Sequence, residues 1–448
     1  MWRVFAGSAR KNTPHSYLQQ GLRNGPELNG VPHGGGCMTF LRKLLQKRGG
    51  LLLKVAGGLI LGGIVLGGGG LIYCGIMSHT ARELPKPGGP YAIGRTVFDW
   101  VDQARPETFA HKPGVKRELM VWVWYPAQSG ASKEAASYLP SKWAQAWNQY
   151  HGGSLFGDWL ISRAETIHAH AFENVPLATN QARYPVLIFS PGMGLLPTDY
   201  TTLIEDLVSH GYIVVGIAPT YSASAVVFSD GRVVQATEEG KGGNDSDPAD
   251  VINAHLQQIE KIWAADTIFV MNQLEHLNSV GQSLLAGRLD LERLGLFGHS
   301  FGGATAAEVC HLDERCKAGI DLDGNLFGNV VQQGLTKPFL FMHHGTIDDC
   351  NDCKDLFTQA RSVLRTVPTG EKYILGVEGM KHMNFSDFSV MFSPFKLMGI
   401  LGPIDGARGL SITSAYVRAF FDTYLNQKPS PLLRGPASAY PEVRFDQL

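Results

Sequence analysis

The chain has 448 residues, 44% of them hydrophobic, with a formal net charge of -1 at pH 7. That length and apolar content can fill one large core or two ordinary ones, and so balanced a charge excludes partners recognised mainly by electrostatics, nucleic acid above all. Six cysteines are few for a scaffold that replaces its core with disulfides.

Residues 1–50 are polar and basic and are expected to be disordered. Val55 to Met77 carries no charge over a run that, as a helix, crosses a hydrocarbon core of about 30 Å. Arg42, Lys43, Lys47, Arg48 and Lys54 precede it, a flank that stays cytoplasmic under the positive-inside rule. Segment 51–77 is therefore expected to be a transmembrane helix or signal anchor, with the catalytic domain of residues 78–448 outside the cytoplasm. The alternative is a cleaved signal and a secreted domain, with Met38 as the true start in place of Met1.

After a Pro/Gly-rich spacer, Arg117 to Ala127 alternates as an early strand at a sheet edge, which Pro126 is expected to stop. Residues 128–180 scatter Trp143, Trp147, Tyr150, Phe156 and Trp159 over a partly helical pattern, a packed helical layer or, alternatively, a lid or lipid-facing patch. Tyr184 to Gly194 is an apolar strand ending in a Gly-rich loop. A helix through Leu203 and Leu207 to Gly211 follows, and then a second strand, "YIVVGIAP". Strand, helix, strand is the crossover unit of a parallel sheet. Ala254 to Leu285 has helical periodicity.

Leu294 to Phe297 reads as a buried strand, and Ala304, Ala306, Ala307 and Val309 suit a helix packed closely on a sheet. Between them Gly298 and Gly302 bracket Ser300 in the G-x-S-x-G pattern, where small neighbours permit a strand-to-helix turn that exposes a serine Oγ. Ser300 is the candidate nucleophile. "AGIDLDG", "KPFLFMHHG" and "KYILGV" supply three further strands, and Ser411 to Leu425 a last helix.

An alcohol is a poor nucleophile at neutral pH, so Ser300 needs a base and the base an orienting carboxylate. His382 follows the final apolar strand, where a histidine can return to the serine, whereas His299 adjoins the serine and His343 and His344 follow an earlier strand. The order serine, acid, histidine is that of the α/β-hydrolase arrangement. For the acid, Asp323 ends the strand after the nucleophile helix with Asp321 on the same strand face, and Asp348 and Asp349 follow the next strand. Spacing separates none of them. The oxyanion donors are expected to be the N–H groups of Phe301, which follows the nucleophile, and of Met193, between Gly192 and Gly194.

Export makes disulfides possible for the two close cysteine pairs, and the first, Cys310 with Cys316, is expected to bridge. Cys350 and Cys353 with His343 and His344 offer zinc-type donors, but no second pair at zinc spacing accompanies them. No metal or cofactor is expected.

The segments "GPYAIG", "RELMVWVWYPA", "YPVLIFSPGMG", "HGYIVVGI", "GLFGHSFGGATAAEV", "GIDLDGNLF" and "GMKHMNFSDF" together resemble the platelet-activating factor acetylhydrolase family of the plasma and intracellular type II kind, over about residues 85–445. The resemblance implies an α/β-hydrolase fold, a mostly parallel central sheet with helices on both faces, and calcium-independent release of a short or oxidised acyl chain from a phospholipid. It places the nucleophile on Ser300, the acid on Asp323, the base on His382 and the oxyanion donors on Met193 and Phe301. Ser190-Pro191, where many members carry a histidine, and the glycine-rich apolar segment depart from the family and bear on substrate identity more than on chemistry. Two other readings are a broad carboxylesterase or cutinase-like polyester hydrolase with its acid at Asp348, and an inactive hydrolase-fold binding module.

Overall fold

The computed structural model describes residues 67–70, 83–110, 112–130, 135–150, 164, 167–244, 246–280, 283–349 and 351–446. The chain divides into a large unit, residues 81–448 with residues 1–5, and a small one, residues 6–80. In the small unit Gly67 to Gly70 are helical; the rest of the expected membrane segment and residues 1–50 lie outside the described residues. Among the described residues no helix is long and apolar enough to cross a membrane.

The large unit is built on a ten-stranded sheet. Its central strands are β4 (Tyr184–Ser190), β5 (Ile213–Ala218), β8 (Leu289–His299), β9 (Ala318–Leu322), β10 (Phe339–His344) and β11 (Lys372–Val377). These run parallel in the order β11-β10-β9-β8-β4-β5. Beyond β5 lie β2 (Lys116–Ala127), β1 (Ala92–Pro106) and β3 (Ala171–Glu173), and beyond β11 lies β12 (Val443–Phe445). The remaining strands, β6 (Ala225–Val227) and β7 (Val233–Gln235), form a separate antiparallel pair.

Strict alternation divides the apolar side chains between the two sheet faces, as the two-residue period of a strand requires. On β4, Leu187 and Phe189 enter one core and Val186 and Ile188 the other; on β2, Trp122 and Trp124 face the first and Val121 and Val123 the second. Helices α1 (Ser141–Tyr150), α2 (Thr201–Ser209) and α6 (Gly406–Tyr424) cover the first face. The second is covered by α3 (Ala249–Ser279), α4 (Phe301–Leu312) and α5 (Asn351–Val363). Each fully buried large apolar side chain contributes roughly 1.5–3 kcal/mol relative to exposure.

Several boundaries differ from the sequence reading. Strand β2 is interior, because the long β1 pairs along its outer side. Pro126 does not end it: β5 pairs only with Met120 to Trp124, so the proline's missing N–H falls beyond that ladder. Helix α3 begins before Ala254, directly after Pro248, and ends at Ser279 short of Leu285. In the aromatic stretch Trp143 is buried on α1 and packs tilted on Trp122, which favours the packed layer there; Phe156 and Trp159 lie outside the described residues. Cys310 and Cys316 form the expected disulfide, and Cys350 lies outside the described residues.

The turn from β8 into α4 carries Ser300 at φ 55° and ψ -123°, a backbone conformation that costs a non-glycine residue on the order of 1–3 kcal/mol. Close approach on either side holds it there. A Cβ on Gly302 would lie 2.0 Å from the Ser190 carbonyl oxygen at the end of β4, and one on Gly298 would lie 2.2 Å from Gly302 itself. Gly302→Ala is accordingly expected to cost about 1–3 kcal/mol through overpacking and to lower the melting temperature. A melt unchanged from wild type would contradict this packing.

Candidate active site

Four parallel strands deliver the expected residues to one edge of the sheet. Met193 follows β4, Ser300 follows β8, Asp323 follows β9 and His382 follows β11. The backbone joins the second and third directly, for the Ser300 N–H donates to the Leu322 carbonyl at 2.8 Å, one residue before Asp323. His382 is tied to the same place, since His299 Nε2 lies 2.9 Å from the His382 carbonyl oxygen. Nucleophile, acid and base candidates are thus fixed through adjacent backbone.

Asp323 and His382 are brought together as side chains: His382 Nδ1 is 2.7 Å from Asp323 Oδ2. Asp323 is buried and stands just past the strand end at φ 64°, a left-handed conformation that turns its carboxylate out of the alternation of β9. Asp321, expected on the same face, points elsewhere. Its Oδ1 accepts from the Gly324 N–H at 2.7 Å, and burial, opposed by that bond and reinforced by Asp323, pushes its carboxyl well above the usual range. Asp348 is exposed on the turn after β10.

Asp323 has a second imidazole that sequence reasoning set aside. His344, at the end of β10, approaches Asp323 Oδ2 through Nδ1 at 2.7 Å and donates its backbone N–H to Oδ1 at 2.9 Å. Burial alone would push Asp323 up, but the charges and hydrogen bonds of His344 and His382 hold it well below the usual carboxylate range. Adjacent His343 is buried against Phe357, and burial pushes it down to about 4. The ligand atoms of Asp323, His344 and His382 lie within 4.8 Å of one another, a set able to hold a cation. Both Nδ1 atoms, however, stand 2.7 Å from the carboxylate, the spacing of N–H···O bonds whose protons fill the space a metal would take.

The loop expected to supply an oxyanion donor is held on both sides of Met193. The Gly192 N–H donates to Tyr200 Oη at 3.1 Å and the Gly194 N–H to the Ser222 carbonyl at 3.1 Å, while among the described residues the Met193 N–H donates to no protein group. Phe301 opens α4, where the first N–H groups have no intrahelical acceptor and the helix dipole favours negative charge. The Met193 and Phe301 side chains pack with Phe109, Ile259 and Trp263 in a separate apolar cluster around these two donors.

A carboxyl from the loop that carries His382 braces α2. Its N-cap residue, Tyr200, makes no side-chain cap bond, and Asp387 Oδ1 instead accepts from the Thr202 N–H at 3.2 Å. The Asp387 N–H donates to the Asp199 carbonyl at 2.8 Å. Burial pushes Asp387 up to about 8 against its Thr202 hydrogen bonds, with the charges of Asp199 and Glu205 adding to the rise. Burial likewise pushes Asp199 up to about 7. Neither residue was singled out from sequence, and Asp387 had only its nearness to His382 to mark it.

Residues 76–430 match the protein family described as platelet-activating factor acetylhydrolase, isoform II. A probable 1-alkyl-2-acetylglycerophosphocholine esterase of Arthroderma benhamiae is 27% identical over 406 residues, covering 84% of this chain and 98% of that protein. The platelet-activating factor acetylhydrolase of Cavia porcellus is 26% identical over 372 residues, covering 78% of this chain and 80% of that one. Among solved structures, a ferulic acid esterase from Streptomyces cinnamoneus is similar with a TM-score of 0.68 and 31% identity, over 82% of this chain and 100% of that chain.

A neutral Asp387 in the folded state has a consequence for stability. The unfolded chain releases this proton near 3.8 and the folded one near 8, so folding holds an extra proton between those values and stability falls as pH rises across that window. Asp387→Asn keeps an acceptor for Thr202 and removes this titration. Its melting temperature relative to wild type is expected to rise from pH 5 to pH 9, and parallel melting curves over that range would contradict a buried neutral carboxyl.

Proposed function

The chain belongs to the platelet-activating factor acetylhydrolase, isoform II, family, and from that membership we propose that it removes short or oxidised acyl chains from phospholipids through an acyl-enzyme on Ser300. It is a carboxylic ester hydrolase with an α/β-hydrolase fold. The observation that carries the assignment of roles is the 2.7 Å contact of His382 Nδ1 with Asp323, at the end of the strand beside Ser300.

In this reading Ser300 Oγ attacks the ester carbonyl while His382 Nε2, on the opposite side of the ring from Asp323, takes its proton. The negative charge that develops on the carbonyl oxygen is met by the N–H groups of Met193 and Phe301. Collapse of the tetrahedral intermediate breaks the acyl–oxygen bond, and His382 passes its proton to the departing alcohol. Water then repeats the sequence on the acyl-enzyme, releasing the acid and regenerating Ser300. Asp323 remains ionised throughout and holds His382 in the Nδ1–H tautomer, in keeping with its depressed carboxyl.

Similarity to the ferulic acid esterase supports a second reading, a broader carboxylesterase; its cutinase-like form, with the acid at Asp348, draws nothing from the geometry, because Asp348 is exposed and His382 Nδ1 meets Asp323. For the N-terminal segment we retain the anchor or cleaved-signal alternatives, with the catalytic domain outside the cytoplasm. The Cys310–Cys316 disulfide supports export, since such bonds persist in oxidising compartments.

Ser300→Ala is expected to lower hydrolysis of a 2-acetyl phospholipid by at least about 10³-fold with little change in melting temperature. Asp323→Asn is expected to cost up to about 10⁴-fold in kcat, with Asp348→Asn near wild type. The reverse order would favour the cutinase-like reading, a fully active Ser300→Ala would move the nucleophile elsewhere, and a wild-type chain with neither activity nor labelling of Ser300 by an organophosphonate would leave a binding module. The uncleaved chain is expected to stay with membranes through an alkaline carbonate wash. A shortened chain in the medium would identify a cleaved signal, and complete release of the uncleaved chain would contradict both.

A further inference from the structure

We propose that Tyr200 and His299 are positioning residues that lock the oxyanion loop to the backbone of the catalytic histidine. This rests on the Ser300–Asp323–His382 reading and extends it to two side chains that act on that site through its backbone.

The direction of every hydrogen bond in the chain follows from chemistry. The His382 carbonyl oxygen can only accept, so His299 Nε2, 2.9 Å away, carries a proton. Burial, with the charge of His382 adding to it, holds His299 well below the usual histidine range, so the ring is neutral and Nδ1 presents a lone pair. Tyr200 Oη, 2.7 Å from that Nδ1, must therefore donate to it. The phenol oxygen is then left to accept, and it takes the Gly192 N–H at 3.1 Å. One run of hydrogen bonds passes from Gly192, beside the oxyanion donor Met193, through Tyr200 and His299 to the backbone of His382.

Packing reinforces the run. Tyr200 and His299 are fully buried. The His299 ring lies 4.5 Å from the His382 ring, 5.5 Å from Tyr200 and 5.7 Å from Phe385. A Cβ on Gly192 would come within 3.2 Å of His299 Nδ1 and 3.3 Å of Tyr200 Oη, so the oxyanion loop rests directly on both side chains. The three segments joined are those that carry the oxyanion donor, the nucleophile and the base. Each follows a different strand, and their mutual placement sets the geometry of the transition state.

The test compares Tyr200→Phe, His299→Gln and the double variant with wild type and Ser300→Ala, on a 2-acetyl phospholipid. Each single variant is expected to fold, to lose about 10–100-fold in kcat with KM within about twofold, and to react more slowly with an organophosphonate. Because both residues belong to one run, the double variant is expected to be little worse than the poorer single one. Wild-type kcat in the folded single variants, a loss confined to KM, or fully additive losses would overturn the proposal. Should a variant fail to fold, nitrogen-15 NMR of the wild-type His299 ring decides: a neutral Nε2–H tautomer is expected, and an Nδ1–H tautomer or an imidazolium at neutral pH overturns it. Ser300→Ala keeps the two readings apart, since its retained activity would remove the triad assignment whatever the Tyr200 and His299 variants do.

Discussion

The site depends on one buried carboxylate. Asp323 would be driven to its neutral form by burial if it stood alone, and two imidazole Nδ1 atoms together with the His344 backbone N–H keep it ionised instead. A carboxylate satisfied in this way is both charged and directional: it can fix the His382 tautomer and stabilise an imidazolium without taking the proton. Placing such a group in the interior requires several donors, and the end of strand β10 and the loop after β11 provide them. His344 is thus part of the foundation on which His382 stands, although it is not the residue the proposed chemistry uses.

The parallel sheet does the work of alignment. Crossover connections make β4, β8, β9, β10 and β11 point the same way, so the residues that follow them meet at one edge however far apart they lie in sequence. Two residues then leave regular geometry at that edge, Ser300 and Asp323, each with positive φ. Close packing of Gly298 and Gly302 on neighbouring backbone enforces the first departure. Positive φ at Asp323 explains why Asp321, two residues earlier on the same strand, cannot substitute: it packs into the turn at Gly324 while Asp323 swings toward the imidazoles.

Sequence revealed the parallel strands and the turn clearly, because buried strands read as unbroken apolar runs and the nucleophile turn needs glycine at fixed offsets. Strand β1 escaped notice for the converse reason: "AIGRTVFDWVDQARP" mixes buried with exposed positions and offers no apolar run. Its omission made β2 look like an edge. The pairing of Asp323 with His382, now visible as a hydrogen bond, was left open by spacing and favoured only by family resemblance. His344 and Tyr200 were beyond reach, since their partners lie 21 and 99 residues away and nothing local marks a histidine or tyrosine that will meet them. His299 was set apart from the base by its place beside Ser300, and its bond to the His382 backbone belongs to tertiary structure alone.

The account is tested most directly by a crystal structure of the chain inhibited with an organophosphonate. It predicts phosphorus bonded to Ser300 Oγ, the phosphonyl oxygen between the N–H groups of Met193 and Phe301, and His382 Nδ1 still on the Asp323 carboxylate. Phosphorus on another residue, an oxygen turned to other donors, or a His382 ring oriented by a different carboxylate would contradict it.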